Sequence, residues 1–392
     1  MNTIVNTEQL NSGMIKLMLL SNGVNITDET LISLSTATDI EENRYYYNIS
    51  NDEDLCVKYK LPSELLLPDD VESSFYFNSR SPLSIEKIDN EYFIIYGENK
   101  LSTISFNKKP KFFDTKLEDG SECSQYASMY GRYILALFLN GACYFVNNKE
   151  ACKFCSIGPS RKSLGKQNVM AISPNKLNEV MAHVVAHDKD RIKYIMYTAG
   201  TYANLDVGIK VQAQLIEAVN KYLPGSSGVT HHLTTMPPRD KKLLHTLVNS
   251  GLQSIAYDME LYDENLFKYY CPGKERFFGY ENMIHAIADA VDVFGKNNVK
   301  VGFVGGLEPL ETMIAGMERL AQMGASLAVN IFHPDPKTPV YNFQRPTQQY
   351  LIDMVKGQRD IYKKYAVIPV FPDGGRRSSL DSEIYRGFFD NL

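Results

Sequence analysis

Residues 133–155 read YILALFLNGACYFVNNKEACKFC. Tyr133 to Leu139 is a continuous apolar run of strand length, and it leads directly into Cys143. From this point strand and helix patterns alternate at intervals of about thirty residues, as βα units do. The strand patterns are Ile192 to Thr198, Val229 to Thr235, Ser254 to Glu260, Val299 to Gly305 and Ser326 to Ile331. Between them, Ser173 with Pro174 opens a helix to about Asp188 and Asp206 opens the next. Arg239 to Ser250, Tyr280 to Phe294 and Leu310 to Met323 follow, with Gly251 and Gly324 as stops.

Six such units imply a parallel sheet with right-handed crossovers that curls into a full or partial barrel, with function at the strands' C-terminal ends. Upstream, residues 30–125 are rich in Tyr, Phe, Asn and Asp. Their alternating runs at Tyr45 to Asn48, Ser74 to Asn78, Tyr92 to Tyr96 and Ser102 to Phe106 read as short antiparallel strands. The expected fold class is therefore α/β: a partial (β/α)6 TIM-like barrel with a smaller N-terminal β-rich accessory domain. Its divisions are an accessory region over 1–125, the barrel over 126–345, and a helix and tail over 346–392. The tail, Gly/Arg/Ser-rich from Pro372 to Glu383, is expected across the barrel mouth.

Composition narrows the function. A chain of 392 residues with 44% hydrophobic content buries a large core, which excludes disorder and fibre. Lys and Arg number 41 against 46 Asp and Glu, so no general positive field exists to hold a polyanion, and nucleic acid is not an expected partner. The first twenty residues carry Glu8, Asn11 and Ser12 without a signal peptide's basic start and apolar stretch, and no later stretch stays apolar long enough to span a bilayer. A cytoplasmic protein without membrane contact is the expectation.

Three of the six cysteines, Cys143, Cys152 and Cys155, fall within thirteen positions, spaced by eight and then two residues, with Phe154 before the last. Clustered thiols in a reducing compartment read first as metal ligands. A structural zinc wants four closed ligands, and the nearest histidine is His183. Three thiolates on a [4Fe-4S] cube leave one iron open for a substrate or cofactor. Cys56, Cys123 and Cys271 lie apart with no close partner in sequence, and Cys56 and Cys123 read as small buried hydrophobes, so a single cluster is expected.

With three cysteines in a loop after the first strand of a six-unit barrel, and an aromatic before the last, residues 130–340 resemble the radical S-adenosylmethionine superfamily, closest to its biotin-synthase-like branch. The first spacing departs from that family, which usually has three residues where this chain has eight. The resemblance implies that Cys143, Cys152 and Cys155 hold one [4Fe-4S] cluster whose open iron chelates S-adenosylmethionine, with Phe154 beside it. Reduction then yields a 5'-deoxyadenosyl radical.

It also implies roles at the other strand exits. Thr198, Gly200 and Thr201 stand where the family has a turn for the cofactor's amino group, or form a plain strand-to-helix turn. Glu260 would hold the ribose diol, and Arg276, or Lys274 as second choice, the methionyl carboxylate. Gly302 would line the adenine site; Glu308 is one place too early to be carried over. For catalysis the candidates are His232, since only one of His231 and His232 can point into the barrel, together with His333 and Cys271.

The expected activity is hydrogen abstraction from a small-molecule substrate, leading to rearrangement, elimination or oxidation, with an electron donor such as flavodoxin or ferredoxin. Radical methyl transfer, sulfur insertion, or a non-catalytic iron-sulfur or zinc binding module are the alternatives.

Overall fold

The computed structural model describes residues 10–41, 61–62, 64–164, 171–374 and 376–392. Cys56 and the strand expected over Tyr45 to Asn48 lie outside them. The N-terminal part comprises α1 (Ser12–Asn22), β1 (Asn25–Ile26), α2 (Asp28–Thr36), β2 (Glu64–Leu67), β3 (Val71–Ser74), β4 (Leu83–Ile88), β5 (Glu91–Tyr96) and β6 (Asn99–Phe106). The sheet order is β1-β4-β5-β6-β2-β3, antiparallel except where β1 meets β4. Leu65, Val71, Ile85 and Ile94 face Met18 and Leu19 of α1 in one buried cluster. The expected strand over Ser74 to Asn78 ends at Ser74. There the amide is donated to Arg377 O, and the chain beyond pairs with the turn after α1 through Val24 N to Tyr76 O and Asn78 N to Val24 O.

The second sheet holds β7 (Ala127–Tyr130), β8 (Ile134–Asn140), β9 (Tyr194–Ala199), β10 (Thr230–Thr234), β11 (Ser254–Ala256), β12 (Val299–Gly305) and β13 (Ser326–Ile331). Its seven strands run in chain order, the last six parallel and β7 antiparallel at the edge. This is the expected α/β, partial-barrel architecture, with β7 an edge strand beyond the six anticipated. All six parallel strands begin within two residues of the apolar runs that mark them, and all but β11 also end so, because parallel strands covered on both faces need little polar alternation.

Between the strands run α3 (Tyr144–Asn147), α4 (Ile157–Leu164), α5 (Pro174–Asp188), α6 (Leu205–Asn220), α7 (Leu243–Asn249), α8 (Glu264–Tyr270), α9 (Pro272–Phe277), α10 (Tyr280–Phe294) and α11 (Leu310–Gln322). After β13 come α12 (Gln348–Tyr365) and α13 (Asp381–Tyr385). The side chains of Ser173, Asn204, Asp263 and Thr347 cap their helices by accepting the amides of Lys176, Val207, Leu266 and Tyr350, so the second barrel helix opens at Asn204 and not at the expected Asp206. The helix expected from Arg239 starts at Leu243 instead, since the Arg239 and Asp240 amides are taken by Asp206 Oδ1.

The tail occupies the open side of the half-barrel. Phe371 packs on Ile134 and Tyr194 at the strand starts, and Ser379 bridges Asn330 near the end of β13. Arg377 reaches Glu64 of the accessory sheet at 2.7 Å, and buried Lys16 of α1 gives its Nζ to Glu383 Oε1 and Arg376 O, both at 2.9 Å. The tail thus joins the accessory sheet to both sides of the barrel.

Candidate functional site at the carboxyl ends of the parallel strands

Cys143 follows β8 and stands just before α3, where the amide of Tyr144 donates to Thr201 O at 2.8 Å. Gly200 makes this approach possible: a Cβ there would lie 2.2 Å from Ala142 O and 2.8 Å from Cys143 Cα. The turn at Thr198, Gly200 and Thr201 therefore braces the first cysteine, through Gly200's missing side chain and Thr201's carbonyl. Farther along the same loop, Cys155 N donates to Cys152 O at 3.0 Å, and Phe154 packs against the main core. Burial, with Cys152 and Cys143 as neighbours, pushes the Cys155 thiol up to about 12. Gathering thiols away from water makes the bare thiolates costly, and a bound cation reverses that cost.

Among the described residues no three His, Cys, Asp or Glu side chains close on the point a single metal ion would occupy. A four-iron cube offers its irons at separate corners, so three thiolates can hold one without meeting at a point. Cys143, Cys152 and Cys155 are the residues here that could do so.

A carboxylate pair faces this loop. β11 ends at Ala256, earlier than the alternation to Glu260 predicts, and the chain bends over the next residues. Glu260 takes a left-handed backbone, φ +68°, and rejoins the sheet by a bridge to Phe303, donating its amide to Gly302 O. A non-glycine residue held in that region is a strained position of the kind that clusters at functional sites. Glu260 Oε1 accepts from Lys274 Nζ at 2.7 Å, and Lys274 also donates to Asp258 O at 2.7 Å. Among the described residues Glu260 Oε2 has no hydrogen-bond partner. Burial raises the Glu260 carboxyl above its ordinary value although Lys274 opposes this. Burial works against the Lys274 charge, but Glu260, Cys152 and Cys271 outweigh it and raise the ammonium's pKa. Lys274 thus stands between the cysteine loop and the carboxylates.

Asp258 and Lys300, which the sequence reading passed over, form an ion pair of 3.2 Å inside the barrel. Gly302 leaves room for that carboxylate, since a Cβ would come within 2.3 Å of Asp258 Oδ1. Arg276 lies elsewhere: it is 58% exposed and paired with Glu150 at the rim. Glu308 is buried and accepts the amides of Tyr262 and Asp263 before α8, a structural cap.

The two histidines of β10 face opposite ways. His231 is held by Tyr197 Oη and Leu223 O, each at 2.7 Å. His232 lies with Ser254 at 2.8 Å and edge-on to Phe371, fully buried at the level of the tail plug, well below Glu260. His333 pairs with Asp335 at 2.6 Å after β13. Cys271 is buried beside Cys152. The structure thus brings Cys143, Cys152, Cys155, Cys271, Glu260, Lys274 and Gly302 to one region, and leaves Arg276, His232 and His333 at its rim, floor and far side. Asp258 had one sequence signal, an acidic residue two places before Glu260. Lys300 had another, a lone charge in the apolar strand Val299–Gly305.

No helix among the described residues is long and apolar enough to cross a membrane. No family model matches the chain. It is 29% identical over 156 residues to the bacteriochlorophyllide c C-7(1)-hydroxylase of Chlorobaculum limnaeum, a match that takes in 40% of this chain and 38% of the relative. Among solved structures, the HydG maturase of [FeFe]-hydrogenase is 14% identical with a TM-score of 0.46, covering 63% of this chain and 56% of that one. A radical SAM methyltransferase from Sphaerobacter thermophilus is 14% identical with a TM-score of 0.43, covering 74% and 76%. Coproporphyrinogen III oxidase of Escherichia coli, a radical SAM enzyme, is 13% identical with a TM-score of 0.41, covering 64% and 57%.

Proposed function

We propose that the chain is a radical S-adenosylmethionine enzyme acting on a small molecule, with Cys143, Cys152 and Cys155 as ligands of one [4Fe-4S] cluster. The observation that carries this reading is the placement of a three-thiol loop against a buried Glu260–Lys274 pair at the carboxyl ends of six parallel strands. When bound, the cluster and S-adenosylmethionine supply a hydrogen-abstracting 5'-deoxyadenosyl radical. The chain's own residues do the holding. The cysteine loop, braced on Gly200, presents the thiolates; Glu260 offers Oε2 to the ribose hydroxyls while Lys274 fixes Oε1; and Lys274, whose charge reaches Cys152, balances the methionyl carboxylate in place of Arg276. The hydroxylase relative favours oxidation at a C–H bond over rearrangement or elimination. A small one-electron donor such as flavodoxin or ferredoxin completes the reaction, in the cytoplasm.

Anaerobic reconstitution tests the reading. About four irons per chain and release of 5'-deoxyadenosine from S-adenosylmethionine are expected. Each of Cys143→Ala, Cys152→Ala and Cys155→Ala is expected to lose both. A Cys143→Ala protein that keeps them removes that ligand, and a reduced, iron-loaded wild type that releases no 5'-deoxyadenosine overturns the proposal.

A further inference from the structure

The cysteine loop is basic in an acidic chain. From Gly141 to Leu164 the sequence carries four lysines and arginines against one acid, in a protein whose formal net charge is -5. Two backbone hydrogen bonds join this loop to α8 and α9: Lys153 N donates to Tyr270 O at 2.8 Å, and Gly273 N donates to Glu150 O at 3.1 Å. Loop and helices therefore share one outer surface. On it Lys153 Nζ lies 3.1 Å from the centre of the Tyr269 ring, and Tyr269 is 57% exposed. Lys149 at the turn after α3, Lys268 on α8 and Arg276 on α9 are exposed along the same join. Lys268 is paired with Glu264 and, at 4.0 Å, with Glu275, and Arg276 with Glu150; among the described residues Lys149 and Lys153 have no carboxylate partner. Exposed charges of this kind add little to stability, because water screens them. A tyrosine inside a charged rim is instead the make-up of an association surface. Cys143, Cys152 and Cys155, all partly exposed, lie on the loop that forms it, and Glu260 and Lys274 face that loop from the barrel side.

We propose that Lys149, Lys153, Lys268 and Tyr269 form the docking surface of a small acidic one-electron carrier protein, which delivers its electron through the cysteine loop. This rests on the ligand assignment above. The reduced cofactor of the carrier loses one electron and the cluster gains it, and no proton or atom crosses the interface. Charge complementarity selects the partner. The chain as a whole repels an acidic protein, so a local positive face both draws the carrier in and orients it on the one loop that can pass the electron on. A face of this size suits a weak, rapidly released complex, as electron-transfer encounters are.

The experiment measures binding and electron delivery separately, with flavodoxin as the probe. Calorimetry follows oxidised flavodoxin binding to the full chain at about 50 mM and about 500 mM salt. The proteins are the wild type, the double variant Lys149→Glu with Lys153→Glu, and Lys149→Glu with Lys268→Glu, which leaves the residue between Cys152 and Cys155 untouched. Anaerobic assays then compare 5'-deoxyadenosine release driven by reduced flavodoxin with release driven by dithionite, a small reductant that needs no docking surface. Binding is expected to weaken about tenfold in both variants, and in the wild type on adding salt. The flavodoxin concentration that half-saturates the assay is expected to rise in step, while iron content and dithionite-driven release stay at wild-type values. Wild-type binding in both variants, or binding indifferent to salt, overturns the docking surface. So does a wild type that turns over with dithionite and not with flavodoxin. Loss of iron or of dithionite-driven release in both variants places these lysines in the cluster site and overturns the docking role. A wild type that holds no iron and releases no 5'-deoxyadenosine with dithionite fails the underlying reading instead, and the calorimetry still decides the surface.

Discussion

Among the described residues, two buried lysine–glutamate pairs share the same chemistry while their surroundings differ. Lys16 and Glu383, 2.9 Å apart and each 1% exposed, lock α1 to the tail along the barrel's open side. Lys274 and Glu260, 2.7 Å apart, sit at the strand ends with 11% and 15% exposure, on a left-handed backbone and beside three cysteines. At the seam the surrounding protein closes over the pair, and Lys16 spends a further donor on Arg376 O. Each pair leaves one carboxylate oxygen without a hydrogen bond: Glu383 Oε2 is sealed inside the protein, whereas Glu260 Oε2 stands at the strand ends. A buried ion pair by itself is weak evidence of stabilisation or of function; the strained backbone of Glu260 and the cysteines beside its lysine are what separate a site from a seam.

The largest effect separating the two is expected from Lys16→Met. It leaves Glu383 charged and enclosed, at a cost of about 3–5 kcal/mol, whereas Lys16→Met with Glu383→Leu recovers most of the loss. Urea denaturation at neutral pH measures both. A single variant as stable as the wild type would show that the seam is open to water and remove its contrast with the mouth.

The seam also holds a carboxyl whose behaviour depends on pH. Burial, and then the neighbouring Glu64, push Glu72 from 4.5 up to about 8 against the opposing Arg132 amide and charge. Its folded-state value is the higher one. Its contribution is therefore fully present below about 4.5 and is lost as pH rises through about 8. The urea midpoint is expected to fall between pH 5 and pH 8, and Glu72→Gln, which cannot ionise, to flatten that fall. An unchanged slope in the variant would assign the pH dependence to other groups.

Much of this was legible in the chain. The strand before Cys143 and those at Val299–Gly305 and Ser326–Ile331 announce themselves as apolar runs, and Ser173, Pro174 and Thr347 mark helix starts by local chemistry that tertiary structure does not override. Glu260 was readable because an acidic residue after a barrel strand needs a partner. The choice between Lys274 and Arg276 was not, since two residues on one short helix point about 200° apart and only packing decides which faces inward. Nor could Arg376 be foreseen beside Asn330: it arrives from a tail 46 residues farther along, a distance no local pattern spans. The Arg239 start failed for a similar reason, because its competitor, Asp206, lies 33 residues away.

At the mouth, Glu260→Gln keeps the side chain's size and removes its charge. It is expected to weaken S-adenosylmethionine binding by about 1–3 kcal/mol, the usual cost of losing a hydrogen bond to a charged group. Calorimetry on the cluster-loaded protein reads this, with iron content unchanged.

Arg276→Ala is the smallest effect and the sharpest test of which cation belongs to the site. Arg276 and Lys274 share α9, yet Arg276 stands in solvent with its guanidinium on Glu150, which it holds below the ordinary carboxylate range by a hydrogen bond and its charge. Exposed pairs of this kind contribute little, because water screens them and two side chains must be ordered to form them. Lys274 is buried against Glu260 and within electrostatic reach of Cys152. Lys274→Met should therefore weaken S-adenosylmethionine binding, while Arg276→Ala leaves it at the wild-type value under the same calorimetry. The reverse order would mean that Arg276 releases Glu150 and turns inward when the cofactor arrives, and that the rim, not the buried Lys274–Glu260 pair, supplies the cation for the carboxylate.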